Sequence, residues 1–137
     1  RRQRQMCIRD SACAVAREFG VPVVFAKKSK SVNLDGEMYV AEVESYTHKK
    51  VNKVVVAKKF ISPEDHVLIV DDFLANGEAA EGLCDLCRQA EAEVIGIGVC
   101  VEKSFQPGHK KLAEAGYRVL ALAKVTGIKD GRLIVED

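Results

Sequence analysis

The densest run of residues able to do chemistry is His66–Glu81, HVLIVDDFLANGEAAE. Asp71 and Asp72 are adjacent carboxylates at the point where the apolar run Val67–Val70 gives out. Phe73–Gly77 then forms a short bridge into a segment with helical patterning. Open α/β sheets bind ligands at the carboxyl ends of their strands, and the unpaired N–H groups of a following helix attract phosphate. Gly77 permits close backbone approach, and Asn76 tolerates the dihedrals of an anion-binding nest. Two carboxylates beside a phosphate would repel it, so they must face sugar hydroxyls, a divalent cation or a developing positive charge. A ribose phosphate meets these demands together. The plain alternative is that Asp71 and Asp72 cap the helix or face solvent.

Lys103 stands just past a second apolar run, Val94–Val101, at the same kind of strand end. An ammonium there can donate to an exocyclic carbonyl oxygen, and Phe105 offers a ring for stacking on a planar base. The alternatives are a solvated lysine and an ordinary core phenylalanine. Lys27, Lys28 and Lys30 form a basic cluster suited to a polyanion. The formal charge is +1, but residues 24–60 hold eight lysines against four acids, whereas residues 61–102 hold ten acids and only Arg88. Near-neutrality argues against nucleic-acid binding through bulk positive charge. No apolar run is long enough for a membrane span. Five cysteines (Cys7, Cys13, Cys84, Cys87, Cys100) without framework spacing point to a reducing, cytoplasmic setting. Cys84 and Cys87 form a CxxC inside a helical run, where two small apolar residues sharing one face is the simpler account than metal or redox use.

With 137 residues, 47% of them hydrophobic, the chain has enough apolar material for one small core. Ser11–Phe19 predicts a short helix stopped by Gly20. Val21–Lys28 predicts a buried strand, and Met38–Tyr46 with Val51–Phe60 a long hairpin turning at residues 47–50. Further turns are expected at Asn33–Gly36 and Ser62–Asp65. Val67–Val70 suits a central strand covered on both faces, followed by a helix over Glu78–Ala90 and a strand over Val94–Val101. A helix closing at Gly116, a strand over Tyr117–Val125, a turn at Asp130-Gly131 and a terminal strand at Leu133–Val135 complete the order. Such alternation predicts an α/β, mostly parallel, doubly wound sheet.

Three separated blocks carry a family resemblance: GVPVVFAKKSKS at Gly20–Ser31, VLIVDDFLANGEAA at Val67–Ala80, and GIGVCVEKSFQPG at Gly96–Gly108. Together they resemble the type I phosphoribosyltransferases from about Gly20 onward. The resemblance implies that Ala75, Asn76, Gly77, Glu78 and Ala79 bind the 5′-phosphate of phosphoribosyl diphosphate. Asp71 and Asp72 serve the ribose as the catalytic carboxylates, Lys28 and Lys30 attend the diphosphate, and Lys103 with Phe105 contacts the base. It implies transfer of 5-phosphoribosyl to N9 of xanthine, giving XMP and diphosphate, with Mg²⁺ carried on the substrate's diphosphate. The hairpin becomes a flap that keeps water from a cation-like sugar, and the molecule a homodimer. Guanine or hypoxanthine could replace xanthine, since a carbonyl contact is common to all three. The alternative is a regulatory domain of a purine repressor that senses phosphoribosyl diphosphate.

Two departures from the family pattern stand out. Glu78 takes the place of a Gln and adds negative charge near the phosphate. Residues 1–11, RRQRQMCIRDS, resemble a translated sequencing adaptor and read as a non-native leader. The phosphoribosyltransferase domain then runs over residues 12–137 with its N-terminal part missing, including a Ser- and Gly-containing loop that would hold diphosphate.

Overall fold

A computed structural model describes residues 2–29, 36–45 and 50–136. Its elements are α1 (Arg2–Phe19), β1 (Lys27–Ser29), β2 (Met38–Ser45), β3 (Lys50–Ala57), β4 (His66–Leu74), α2 (Glu78–Gln89), β5 (Glu93–Lys103), α3 (Gly108–Glu114), β6 (Val119–Lys129) and β7 (Arg132–Glu136), with a 3₁₀ turn at Lys58–Phe60. The chain divides into two compact units. The first comprises Arg1–Val23, Val70–Gly77 and Gly96–Asp137; the second comprises Val24–Ile69 and Glu78–Ile95. Among the described residues, no helix is long and apolar enough to cross a membrane.

In the second unit, β1, β3 and β2 form an antiparallel sheet in that order. The expected hairpin is present, with Met38 paired to Ala57 and Ser45 to Lys50. Its apolar positions, Ala41, Val54 and Val56, pack with Leu86 of α2. A Cβ on Gly82 would collide with Val43 Cγ2, so Gly82 lets α2 lie close on β2. Gln89 covers the open edge of β2: its Nε2 donates to Val40 O at 2.7 Å and its Oε1 accepts from Val40 N at 3.3 Å. An amide side chain here replaces a neighbouring strand, the usual remedy for an exposed edge. Cys84 and Cys87 are both buried, as two small apolar residues sharing a helix face should be. Burial, with Cys84 adding repulsion, pushes the Cys87 thiol up to about 11, so it stays protonated at neutral pH. The Ser62–Asp65 turn forms as expected, with Asp65 Oδ2 accepting from Ser62 N at 2.7 Å.

The second sheet has the order β4-β5-β6-β7. β5 and β6 run parallel, with Ile97 opposite Val119 and Lys103 opposite Val125. β7 returns antiparallel after Asp130-Gly131, whose φ values of 51° and 72° match the two positive dihedrals of a type I′ turn. In the first unit Ile97, Val99, Leu112 and Val125 are buried, while Leu120 and Leu122 face outward from β6.

Several expectations change: the second hairpin strand, expected over Val51–Phe60, runs Lys50–Ala57 before a 3₁₀ turn, and the strand expected over Tyr117–Val125 runs Val119–Lys129. The helix expected at Ser11 begins at Arg2. The buried strand expected over Val21–Lys28 shrinks to Lys27–Ser29, and Val21, Val24 and Phe25 are exposed. A β-branched run becomes a strand only where a neighbour offers backbone groups, and the ladder to β3 covers just those three residues. β4 and β5 are longer than their apolar runs, reaching Leu74 and Lys103. Finally, Leu68 is exposed, so β4 is not covered on both faces along its whole length. The expected turns at residues 33–36 and 47–50 fall largely outside the described residues.

All three α-helices end in Schellman motifs among the described residues. For α1, Val21 N donates to Ala16 O and Gly20 N to Arg17 O; for α3, Tyr117 N donates to Leu112 O and Gly116 N to Ala113 O. In α2 the left-handed position falls to Glu91, at φ 57°, with Ala92 N donating to Cys87 O. A left-handed L-residue costs about 1–2 kcal/mol, partly offset by glycine's extra chain entropy of about 0.5–1 kcal/mol. Glu91→Gly is therefore expected to raise the thermal midpoint by about 2–4 °C, read by circular dichroism. A lowered midpoint would mean that Glu91 makes a compensating contact.

Candidate functional site

The site grows from β4. Because the strand continues to Leu74, Asp71 and Asp72 lie within it rather than beyond it, and the bridge to α2 contracts from Phe73–Gly77 to Ala75–Gly77. Side chains alternate along a strand, so Asp71 and Phe73 share one face and Asp72 and Leu74 the other. Both aspartates are half-buried, and Asp71 Oδ1 accepts the N–H of Asp72 at 2.9 Å. This bond fixes the Asp71 carboxylate against its own strand.

Lys103 ends the neighbouring strand β5, and its Nζ lies 5.1 Å from the centroid of the Phe73 ring. An ammonium over a ring face is held by the ring quadrupole. The lysine is thus aimed rather than adrift in solvent.

The Ala75–Gly77 loop is shaped by Gly108. Gly108 N–H donates to Ala75 O at 3.0 Å. Gly77 adopts φ +93°, and a Cβ there would meet Gly108 Cα at 3.2 Å. Two glycines in backbone contact leave no room for a side chain on either, and Gly77 must be glycine for its dihedral as well. The loop hands the chain to α2, whose first two residues are Glu78 and Ala79. The first N–H groups of a helix lack intrahelical partners and carry partial positive charge.

The phosphoribosyl transferase domain family matches residues 11–119. The chain belongs to that family. Xanthine phosphoribosyltransferase of Bifidobacterium adolescentis is 56% identical to it over 115 residues, which are 83% of this chain and 60% of the relative. The protein of the same name from Clostridium novyi is 50% identical over 126 residues, 92% of this chain and 66% of the relative. The chain thus spans about three fifths of the length of such curated relatives. Among solved structures, adenine phosphoribosyltransferase of Thermoanaerobacter pseudethanolicus superposes with a TM-score of 0.71 at 27% identity, over 82% of this chain and 62% of that one. The α/β phosphoribosyltransferase fold is therefore the fold of this chain.

Within this phosphoribosyltransferase domain, Asp71, Asp72, Ala75, Asn76, Gly77, Lys103 and Phe105 all belong to the first unit. Glu78 and Ala79 follow in the second unit at the start of α2, and Lys28 belongs to that unit on β1, exposed and opposite Val54. Lys30 lies outside the described residues. Phe105 is 49% exposed and so is not core packing.

Three contributors escaped the sequence reading: Phe73 beneath Lys103, Gly108 behind the loop, and Glu102, a carboxylate only 3% exposed. The Pro107-Gly108 pair before a helix was the available signal for the second. Nothing local marks the first, because it depends on a residue thirty positions away; for the third, Ser104 and His109 lie close by in sequence, but only the fold shows that Glu102 is buried between them.

Proposed function

We propose that the protein transfers the 5-phosphoribosyl group from phosphoribosyl diphosphate to N9 of xanthine, giving XMP and diphosphate. The observation that carries this reading is the glycine-backed Ala75–Gly77 loop, which links a carboxylate pair to a helix start. Amide hydrogens along the loop and helix start take the 5′-phosphate, while Asp71 and Asp72 take the ribose hydroxyls. As the C1′–O bond breaks, the sugar gains cationic character that the carboxylates stabilise. No covalent nucleophile is needed, since holding both partners in line supplies much of the rate. Lys28 and Lys30 are assigned to the leaving diphosphate, and Phe105 to stacking on the base.

Asp71 and Asp72 are hard oxygen donors, and one or two carboxylates beside substrate phosphates is the donor set Mg²⁺ takes. When bound, that ion neutralises charge on the departing diphosphate. A cytoplasmic homodimer is the setting we assign to the molecule. The relatives are named as transferases, which favours catalysis over effector sensing, and their shared name favours xanthine as the base.

Incubating the full-length protein with phosphoribosyl diphosphate and xanthine, guanine or hypoxanthine tests the reading. XMP should form with the highest kcat/KM. Failure to release diphosphate with any of the three bases would overturn it. Lys103→Ala should raise the KM for the base at least about tenfold with a smaller change in kcat, since a charged hydrogen bond contributes about 1.5–3 kcal/mol. An unchanged base KM would remove Lys103 from the base pocket.

A further inference from the structure

We propose that Glu102 is a positioning residue: through Ser104 and His109 it holds Gly108, and so sets the Ala75–Gly77 loop for the 5′-phosphate. This inference rests on the reading of that loop as the phosphate site.

Glu102 is the penultimate residue of β5 and is buried. A buried carboxylate is costly unless its oxygens are bonded, and here each oxygen has a partner. Ser104 Oγ donates to Oε1 at 2.8 Å, and His109 Nδ1–H donates to Oε2 at 2.7 Å. An ionised carboxylate only accepts, so the proton of this pair sits on the imidazole nitrogen.

These two donors bracket the turn between β5 and α3. The turn's backbone is fixed as well, by Ser104 N to Val125 O and Gln106 N to Lys103 O, both 2.9 Å. Gly108 has no side chain with which to anchor itself. Its place is set by its neighbours: Pro107, whose φ is locked by its ring, and His109, tied to Glu102. From that place Gly108 bonds Ala75 O and abuts Gly77. A chain of contacts therefore runs from one buried carboxylate to the loop. Misplacement of about 1 Å in such a loop is enough to weaken a phosphate contact seriously. The side chain of Lys103, on the opposite face of β5, takes no part in this chain.

Three variants of the full-length protein test the inference. Glu102→Gln keeps the shape but presents an N–H to one donor. His109→Leu keeps bulk without a donor, and His109→Asn restores an N–H near the Nδ1 position. The first two should raise the KM for phosphoribosyl diphosphate about tenfold, with kcat and the base KM within about twofold, and His109→Asn should recover most of the loss. A lowered thermal midpoint with an unchanged KM for phosphoribosyl diphosphate would overturn the positioning role and leave the phosphate-site reading intact. The reading itself is checked on the wild type, where ribose 5-phosphate should shift the amide resonances of Asn76, Gly77 and Glu78. If those resonances stay still, the phosphate site is elsewhere and the role proposed for Glu102 falls with it.

Discussion

Gly108→Ala is expected to lower the affinity for phosphoribosyl diphosphate at least about 100-fold, the loss of two or three charge-assisted hydrogen bonds. A Cβ at this position would penetrate Ala75 O and lie 2.9 Å from Gly77 N. Both obstacles are backbone, so no side chain can swing aside to make room. Either α3 or the loop must move, and any shift of the loop carries its amide hydrogens with it. Overpacking of this kind also costs about 1–3 kcal/mol of stability. Calorimetric titration with phosphoribosyl diphosphate, alongside circular dichroism to confirm a folded chain, reads the effect. Wild-type affinity in a folded Gly108→Ala protein would show that the phosphate does not depend on this loop.

Asp72→Asn should reduce kcat by about 100- to 1,000-fold with little change in fold. The substitution keeps the shape and one acceptor oxygen, turns the other into an N–H donor able to meet a hydroxyl oxygen, and removes the negative charge, so it tests charge stabilisation above all. Removing one preorganised group that meets developing transition-state charge typically costs about 3–4 kcal/mol. The half-burial of Asp72 makes the site less screened than open water, which raises the value of its charge. Because ground-state hydroxyl contacts survive in the amide, the KM for phosphoribosyl diphosphate should change far less than kcat. Diphosphate release measured at saturating substrate gives the result directly. An unaltered kcat would mean that the sugar cation is stabilised by something other than this carboxylate.

Much of the architecture is legible along the chain because the relevant forces are local. A glycine can enter the left-handed region wherever it stands, so Gly20 and Gly116 announce helix ends, and Asp130-Gly131 announces a tight hairpin turn. Apolar runs mark strands, and Asp71-Asp72 followed by Ala75-Asn76-Gly77 carries its chemical meaning in residue type and order. The α2 terminus is the exception to the local rule: Glu91 carries no left-handed signal, yet packing holds it at φ 57°.

What tertiary structure alone decided concerns pairing between distant segments. The lengths of β4 and β5 follow from the ladder they share, which carried Asp71 and Asp72 into the strand and onto alternate faces. The run at Val21–Ala26 looked like a strand but found no ladder, so it did not become one. Lys103 acquired its aim from Phe73, and the loop its shape from Gly108, which in turn hangs on Glu102. A side chain's type sets what bonds it can make. Which bonds it does make depends on what the rest of the chain brings within about 3 Å, a distance at which hydrogen bonds form and one extra methyl no longer fits.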